Sequence, residues 1–148
     1  MTEAELARAC AAAMWAEDAA SRSLGMRLAA IAPGHAVLEM AVTAAMSNGH
    51  GMCHGGYIFM LADSCFGFAC NSRNEKCVAQ HGAITYLRPA RQGEMLRAEA
   101  AETARHGRSG IYDVRVSAVA DGRVIAEFRG HSRTLGGHFF PASREHAP

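Results

Sequence analysis

A strongly apolar stretch lies near the middle of the chain, at residues 55–71, and reads GGYIFMLADSCFGFACN. Apolar residues occur on every helical face of it, which is typical of a helix surrounded by protein. Periodicity alone does not separate a buried helix from a buried strand, but the length of the run and its Met, Leu and Ala residues favour a helix. The sequence therefore predicts one long buried helix.

Strand patterns flank this stretch on both sides. Two hairpin signals, Pro33-Gly34 and Asp121-Gly122, separate runs rich in apolar residues. The clearest alternation of apolar and polar residues runs from Tyr112 to Ala118, as expected for a strand with one buried face. The predicted strands are residues 26–32, 36–43, 77–87, 94–102 and 112–118, with a final strand from Val124 to about Phe128.

These elements predict an α+β fold in which a curved antiparallel sheet wraps around the long buried helix. Residues 1–24 form an N-terminal helical segment with a break predicted at 21–25, residues 25–136 form the main domain, and residues 137–148 form a polar tail. One sheet covers one side of a helix, so we expect the sheet edge or the helix flank to meet a second subunit.

Composition narrows the class of protein. The chain has 148 residues and a net charge of +1, which suits a single domain without the basic field that nucleic acid or an anionic membrane requires. The longest apolar run is about 14 residues, short of the roughly 20 that span a membrane. Five cysteines without a CxxC pair, and an acidic start without a signal-peptide pattern, predict reduced thiols and a cytoplasmic location.

Asp63 is the first candidate for chemistry. It is the one Asp, Glu, Lys, Arg or His side chain between Gly55 and Arg73, and no Lys or Arg lies three or four residues away on the helix to pair with it. A buried, unpaired carboxylate costs several kcal/mol, roughly, and such groups often act as bases or nucleophiles. The alternative is that donors from a neighbouring strand satisfy Asp63.

The predicted helix start, His54-Gly55-Gly56, is the second candidate. A helix N-terminus offers free N–H groups to an anion or an oxyanion, although a plain glycine-containing cap is the alternative. Gly55 and Asp63 are eight residues apart, or about 12 Å along a helix axis. If both act on one carbonyl, they must come from different subunits, so the spacing predicts a homodimer with composite sites.

These motifs resemble those of a known family. Residues 48–56 (NGHGMCHGG), 61–63 (LAD) and 86–90 (YLRPA) resemble the hotdog-fold acyl-coenzyme A thioesterases, in particular the phenylacetate-degradation thioesterases, and the resemblance spans roughly residues 20–136. It implies the hotdog fold, hydrolysis of acyl-coenzyme A to acid and coenzyme A, a homodimer with composite sites, and assembly to a homotetramer.

The resemblance also implies roles for matching residues. Asp63 would be the general base or nucleophile, and the Gly55 N–H would polarise the thioester carbonyl. Asn48 would position water or the thioester, His54 would lie beside the oxyanion site, and Ser64 would bind water in the same pocket.

Two basic groups are candidates for coenzyme A phosphates, because arginine binds phosphate through a bidentate fork. Solvated loop charges are the alternative for both. The first group contains Arg88, Pro89 and Arg91, and the second contains Arg105, His106, Gly107 and Arg108. In the resembling family, the turn that matches the second group contacts coenzyme A, and the residue that matches Tyr86 lies near the pantetheine arm.

We expect no cofactor apart from the coenzyme A of the substrate, and no metal, because His50 and His54 lie in a glycine-rich loop without a partner at metal-site spacing. Two other activities stay open: a non-catalytic acyl-coenzyme A binder and a hotdog enoyl-thioester hydratase. The resemblance favours arylacetyl or hydroxylated arylacetyl thioesters, with medium-chain fatty acyl thioesters next. Tyr57, Phe59, Phe66 and Phe68 are either pocket or core residues.

Overall fold

The computed structural model describes residues 1–141 and contains one six-stranded antiparallel sheet, in the order β1-β2-β4-β5-β6-β3. The predicted α+β architecture, with a sheet on one long helix, is confirmed. The elements are α1 (Glu3–Glu17), α2 (Ala19–Ser23), β1 (Arg27–Ala32), β2 (His35–Ala41), a 3₁₀ turn (Ala44–Met46), α3 (Gly55–Cys70), β3 (Cys77–Tyr86), β4 (Met95–His106), β5 (Ser109–Ala118) and β6 (Val124–Thr134).

Several predicted boundaries were wrong, among them the end of β6, which lies at Thr134 rather than near Phe128, and the start of β5, which lies at Ser109 rather than Tyr112. The break expected at residues 21–25 begins late, because α2 occupies Ala19–Ser23 and Asp18 caps it by accepting the Ser21 N–H at 3.0 Å. Strand β4 extends to His106 rather than ending at 102. A register shift between Glu102 and Ala104 interrupts the alternation there, so the sequence pattern ends before the hydrogen-bonded ladder does.

The core lies between α3 and the concave face of the sheet. Gly82 and Gly130 are opposite each other on β3 and β6, and a Cβ atom on Gly130 would lie 2.9 Å from the Phe66 ring. Phe66 is fully buried, with its ring centre 5.6 Å from that of Tyr112 and 5.9 Å from that of Phe128. The aromatic residues Phe66 and Phe68 therefore belong to the core rather than to an open acyl pocket.

The two edges of the sheet differ. Helix α1 packs against β1 at one edge and buries Ala7, Cys10 and Ala11. At the other edge, β3 pairs with β6 on one side, and eight of its ten residues are exposed. A long edge strand with free backbone groups is a ready site for pairing with another strand.

The start of the predicted polar tail is held in place by Asn74. The Asn74 side chain accepts the N–H groups of Phe139 and Phe140 at 3.1 and 3.0 Å and donates to the Phe140 carbonyl at 2.9 Å. The rest of the tail, residues 142–148, lies outside the described residues. Within residues 1–141, no helix has the length and apolarity needed to cross a membrane.

Candidate active site

The first residue of α3, Gly55, has a free backbone donor. His54 caps the helix: its Nδ1 accepts the Gly56 N–H at 3.1 Å, and its carbonyl accepts the Tyr57 N–H at 3.0 Å. The Gly55 N–H makes no hydrogen bond to any group in residues 1–141. A free N–H at the positive end of a helix dipole can stabilise a developing oxyanion. The structure therefore gives His54 a capping role and leaves the donor at Gly55.

Tyr86 packs against this turn. Its hydroxyl donates to the Gly55 carbonyl at 2.8 Å, and a Cβ atom at residue 55 would lie 2.9 Å from Tyr86 Cζ. Glycine therefore fits here because of this close approach. An open groove of about 480 Å³ runs past both residues and is lined in part by Ile58, Leu87 and Pro89. This groove offers an apolar channel beside the free Gly55 N–H.

Asn48 organises the loop before α3. Its Oδ1 accepts the N–H groups of His50 and Met52 at 2.8 and 3.2 Å, and its own N–H donates to the Met52 carbonyl at 2.7 Å. Its side-chain NH₂ makes no hydrogen bond within residues 1–141. The oxygen is thus committed to loop structure, and the predicted contact with water or thioester could come from the NH₂ group alone.

Asp63 is partly buried at the middle of α3. Its carboxylate makes no hydrogen bond and no ion pair within residues 1–141, so the structure shows no donors from a neighbouring strand. Burial raises the pKa of the Asp63 carboxyl group. Asp63 does not line the groove beside Gly55. Because both lie on one continuous helix, about 12 Å separates them along its axis.

Ser64 lies next to Asp63 in sequence but bonds elsewhere. Its Oγ is 2.8 Å from the Oγ of Ser21, which donates to the Asp18 carboxylate at 2.7 Å. Because the Ser21 proton is committed to Asp18, Ser64 must be the donor to Ser21. Ser64 can then accept a hydrogen bond from water but cannot give one. Sequence reasoning missed Asp18 and Ser21, although their three-residue spacing is an N-cap signal.

The two basic groups lie at opposite ends of the sheet. Arg88 Nη1 donates to the Val124 carbonyl at the start of β6 at 3.0 Å, and the Arg108 carbonyl accepts the Thr134 N–H at the end of β6 at 2.9 Å. The 11 residues of β6 span about 33 Å. One chain therefore does not bring both groups to one ligand.

The residues of these two basic groups also differ in whether their side chains are free to bind a ligand. Arg105 is not free, because its guanidinium lies 3.0 Å from Glu75 and 3.9 Å from Glu102. Gly107 forms the β4–β5 turn at φ +59°, a conformation that favours glycine. The side chains that make no hydrogen bond or ion pair to any other group in residues 1–141 are those of Arg91, His106 and Arg108.

Comparison with known protein families identifies the class of protein to which this chain belongs. A family model described as "Thioesterase superfamily" matches residues 50–125. The chain belongs to this superfamily, and its sheet and buried helix form the hotdog fold of acyl-coenzyme A thioesterases. The family resemblance of the motifs at residues 48–56, 61–63 and 86–90 is thereby confirmed.

Individual proteins similar to this chain are also acyl-coenzyme A thioesterases. The chain is 40% identical to acyl-coenzyme A thioesterase PaaI of Escherichia coli (strain K12) over 84% of this chain and 89% of that protein. It is 33% identical to human acyl-coenzyme A thioesterase 13 over 78% and 84%, respectively. The structure of the E. coli PaaI protein from the phenylacetic acid degradation operon matches with a TM-score of 0.90 and 38% identity, over 93% of this chain and 99% of that chain.

Proposed function

We propose that this chain hydrolyses arylacetyl- or hydroxylated arylacetyl-coenzyme A to the free acid and coenzyme A. In this proposal, Asp63 of one subunit and the Gly55 N–H of another act on one thioester. The observation that carries it is the unpartnered Asp63 carboxylate on a helix whose first N–H is also free.

The chemistry follows from the two groups. A carboxylate with a raised pKa is a stronger base than an ordinary aspartate. Asp63 either removes a proton from water as the water attacks the thioester carbonyl, or attacks the carbonyl itself to form an anhydride that water then opens. In both routes addition to the carbonyl turns its oxygen into an oxyanion, which the Gly55 N–H stabilises. The oxyanion then collapses to a carbonyl as the C–S bond breaks, and coenzyme A leaves as a thiolate that takes up the proton lost by water.

The bare edge of β3 supports a dimer that brings these groups together. Tyr86, at the end of β3, contacts Gly55 at the start of α3, while Asn71, just after α3, accepts the N–H of Cys77 at the start of β3. The helix and strand therefore run in opposite directions along each other. A two-fold axis through β3 would reverse both in the second copy.

The position of that axis can be inferred. Phe59 is midway between Gly55 and Asp63 along α3, and a Cβ atom on Gly82, in the middle of β3, would lie 3.4 Å from Phe59. An axis near Gly82 pairs the full length of the two β3 strands. The same axis places Gly55 of each copy at the height of the other copy's Asp63, as the composite site requires.

This pairing would also bring basic residues from the two subunits near the same coenzyme A molecule. The β4–β5 turn that holds Arg108 lies at the Cys77 end of β3, and Arg88 lies at the Tyr86 end. Antiparallel pairing of two β3 strands places the Cys77 end of one copy beside the Tyr86 end of the other. The phosphates of one coenzyme A would then be within reach of Arg88 from one subunit and Arg108 from its partner.

The acyl group is proposed from the relatives. The E. coli protein, with 40% identity, has its gene in the phenylacetic acid degradation operon. The first experiment is therefore a measurement of coenzyme A release from phenylacetyl-, 3-hydroxyphenylacetyl-, octanoyl- and crotonyl-coenzyme A. We expect the highest kcat/KM for the arylacetyl thioesters. Faster turnover of octanoyl-coenzyme A, hydration of crotonyl-coenzyme A, or binding without turnover would contradict the proposal.

A mixing experiment tests the composite site. Asp63→Asn removes the base and Gly55→Pro removes the N–H, and we expect each variant alone to be nearly inactive. When the two are co-expressed, half of the dimers pair the two variants, and each of these has one intact site. We therefore expect recovery of about a quarter of wild-type activity. No recovery, with mixed dimers shown by mass spectrometry, would place both groups in one chain. The predicted tetramer stays a prediction.

A further inference from the structure

Two histidines lie side by side on the outer face of the sheet. His81 on β3 and His131 on β6 are directly opposite each other in the strand register, and their ring centres are 5.1 Å apart with 46° between the planes. Their neighbours Gly82 and Gly130 face the aromatic core. Because side chains alternate along a strand, the two imidazoles face away from α3.

This separation suits a shared metal ion. A tetrahedral zinc ion binds imidazole nitrogens at 2.0–2.1 Å, and each ring centre lies about 1.1 Å behind its nitrogen. Two imidazoles on one such ion therefore have ring centres roughly 5.2 Å apart. The observed distance of 5.1 Å matches this separation.

The surroundings leave the rings available. Neither imidazole makes a hydrogen bond to another group in residues 1–141. Ile111 is opposite His131 on β5 and offers no competing polar group. Arg129 on the same face is bonded to Asp113 at 2.7 and 2.8 Å, which offsets its charge, and Arg133 is exposed, so its charge is screened by solvent.

We propose that His81 and His131 bind a divalent first-row transition-metal ion, with imidazole nitrogens as ligands. The pair lies within one chain, so this site does not depend on the proposed dimer or on catalysis, and it departs from the sequence-based expectation of no metal. Residues 1–141 contain no group of three or more potential ligands. The remaining positions on the ion are filled by water.

The dimer proposed above would bring the sites of two copies near each other without merging them. If two β3 strands pair around Gly82, His81 of each copy is one residue from the axis and on the same face. Diagonal neighbours on paired strands are about 7–8 Å apart, so the two His81 residues would be near each other, whereas each His131 lies one strand further from the axis. We therefore expect one ion per chain, and one ion per two chains would contradict a site formed by the pair within one chain.

The test is calorimetric titration of tag-free protein with ZnCl₂ at neutral pH, in a buffer that does not bind metals. The variants are His81→Ala, His131→Ala and, as a matched control on another exposed histidine, His106→Ala. We expect micromolar binding by the wild type and the control, and binding weakened roughly tenfold or more in each of the other two variants. Co²⁺ absorption provides a second readout of the coordination geometry.

Two further results would overturn the proposal: a wild type that does not bind zinc, or His81→Ala and His131→Ala variants that bind it as tightly as the wild type does. Circular dichroism and thermal melting verify that each variant is folded. Asp63→Asn should bind zinc as the wild type does, so the outcome is independent of whether Asp63 is catalytic.

Discussion

Two regions of this protein hold their carboxylates in opposite ways. On the outer face of the sheet, Glu39 accepts hydrogen bonds from Arg97 and Arg27, and Asp113 accepts them from Arg129 and Thr103. These hydrogen bonds lower the pKa of both carboxyl groups. At the middle of α3, the Asp63 carboxylate is partly buried without a partner in residues 1–141, and burial raises its pKa.

The presence or absence of a hydrogen-bond partner distinguishes carboxylates that stabilise the fold from one that is available for catalysis. The paired carboxylates of the outer face have arginine partners, both for Glu39, which is buried, and for Asp113, which is partly exposed, and they need no further partner. An unpaired carboxylate in an apolar helix disfavours the folded state, and such a group is retained where it has another use. Glu39 and Asp113 therefore have structural roles, and the middle of α3 is the place to search for the hydrolytic reaction.

The largest expected effect is on turnover. Asp63→Asn keeps the side-chain shape but removes the base, so we expect a loss of about a hundredfold or more in kcat for arylacetyl-coenzyme A. Asp113→Asn, a matched change on the outer face, should retain activity close to that of the wild type. Coenzyme A release measures both. Equal activity of the two variants would remove the distinction between the regions.

The next effect concerns the oxyanion donor. Gly55→Ala and Gly55→Pro both place a Cβ against Tyr86, but proline also removes the N–H. Proline is tolerated at the first position of a helix, and His54 already has the extended backbone (φ −61°, ψ 135°) that proline requires of its predecessor. We expect Gly55→Pro to be about a hundredfold slower than Gly55→Ala in kcat. Similar rates for the two variants would exclude the Gly55 N–H as the oxyanion donor.

Stability should respond in the opposite direction to activity at Asp63. Because its pKa is raised in the folded state, the ionised form disfavours folding at pH 7, and this cost disappears as the pH falls below the unfolded-state pKa of about 3.9. Asp63→Asn should therefore increase the free energy of unfolding at pH 7 by about 1 kcal/mol. Urea denaturation at pH 7 and pH 4 should show the gain shrinking with acidification; a less stable variant would mean that Asp63 has a stabilising partner.

The smallest expected effect is on stability at Asp113, where the pKa shift has the opposite sign to that of Asp63. The lowered pKa of Asp113 means that its ion pair stabilises the fold above the unfolded-state pKa, and that this contribution is lost as the pH falls through the folded-state pKa. Its side chain is 44% exposed, so solvent screens the interaction. We expect Asp113→Asn to cost about 0.5 kcal/mol at pH 7, and less at high salt. A gain in stability would contradict the structural role of Asp113.

Much of the architecture follows from local patterns. The run at residues 55–71 predicted α3 within one residue at its end, and the alternation after Tyr112 predicted that β5 and β6 exist, although β6 extends six residues beyond its predicted end. The candidate pair Asp63 and Gly55 also came from sequence, because one charge in an apolar helix and two glycines at its start are local features. Their 12 Å separation follows from helix geometry alone.

Other features depend on contacts between distant parts of the chain. The sequence did not determine which sheet edge is bare, since that depends on α1 packing against β1 while β3 pairs with β6 alone. It placed Ser64 beside the reaction, but the hydroxyl donates to Ser21, 43 residues earlier. It grouped Arg105 with Arg108 as phosphate ligands, yet Arg105 is bound to Glu75, 30 residues away.

The sequence by itself determined the helix, the strands and the residues with unusual chemistry, because each rests on side-chain periodicity or on one residue type in a local setting. Only the tertiary structure decided which of those residues are free, which ends of the sheet they occupy, and that two histidines 50 positions apart in the chain are neighbours. Long-range packing sets the hydrogen-bond partners and the strand order. The local sequence pattern of one element does not specify which distant element will pack against it.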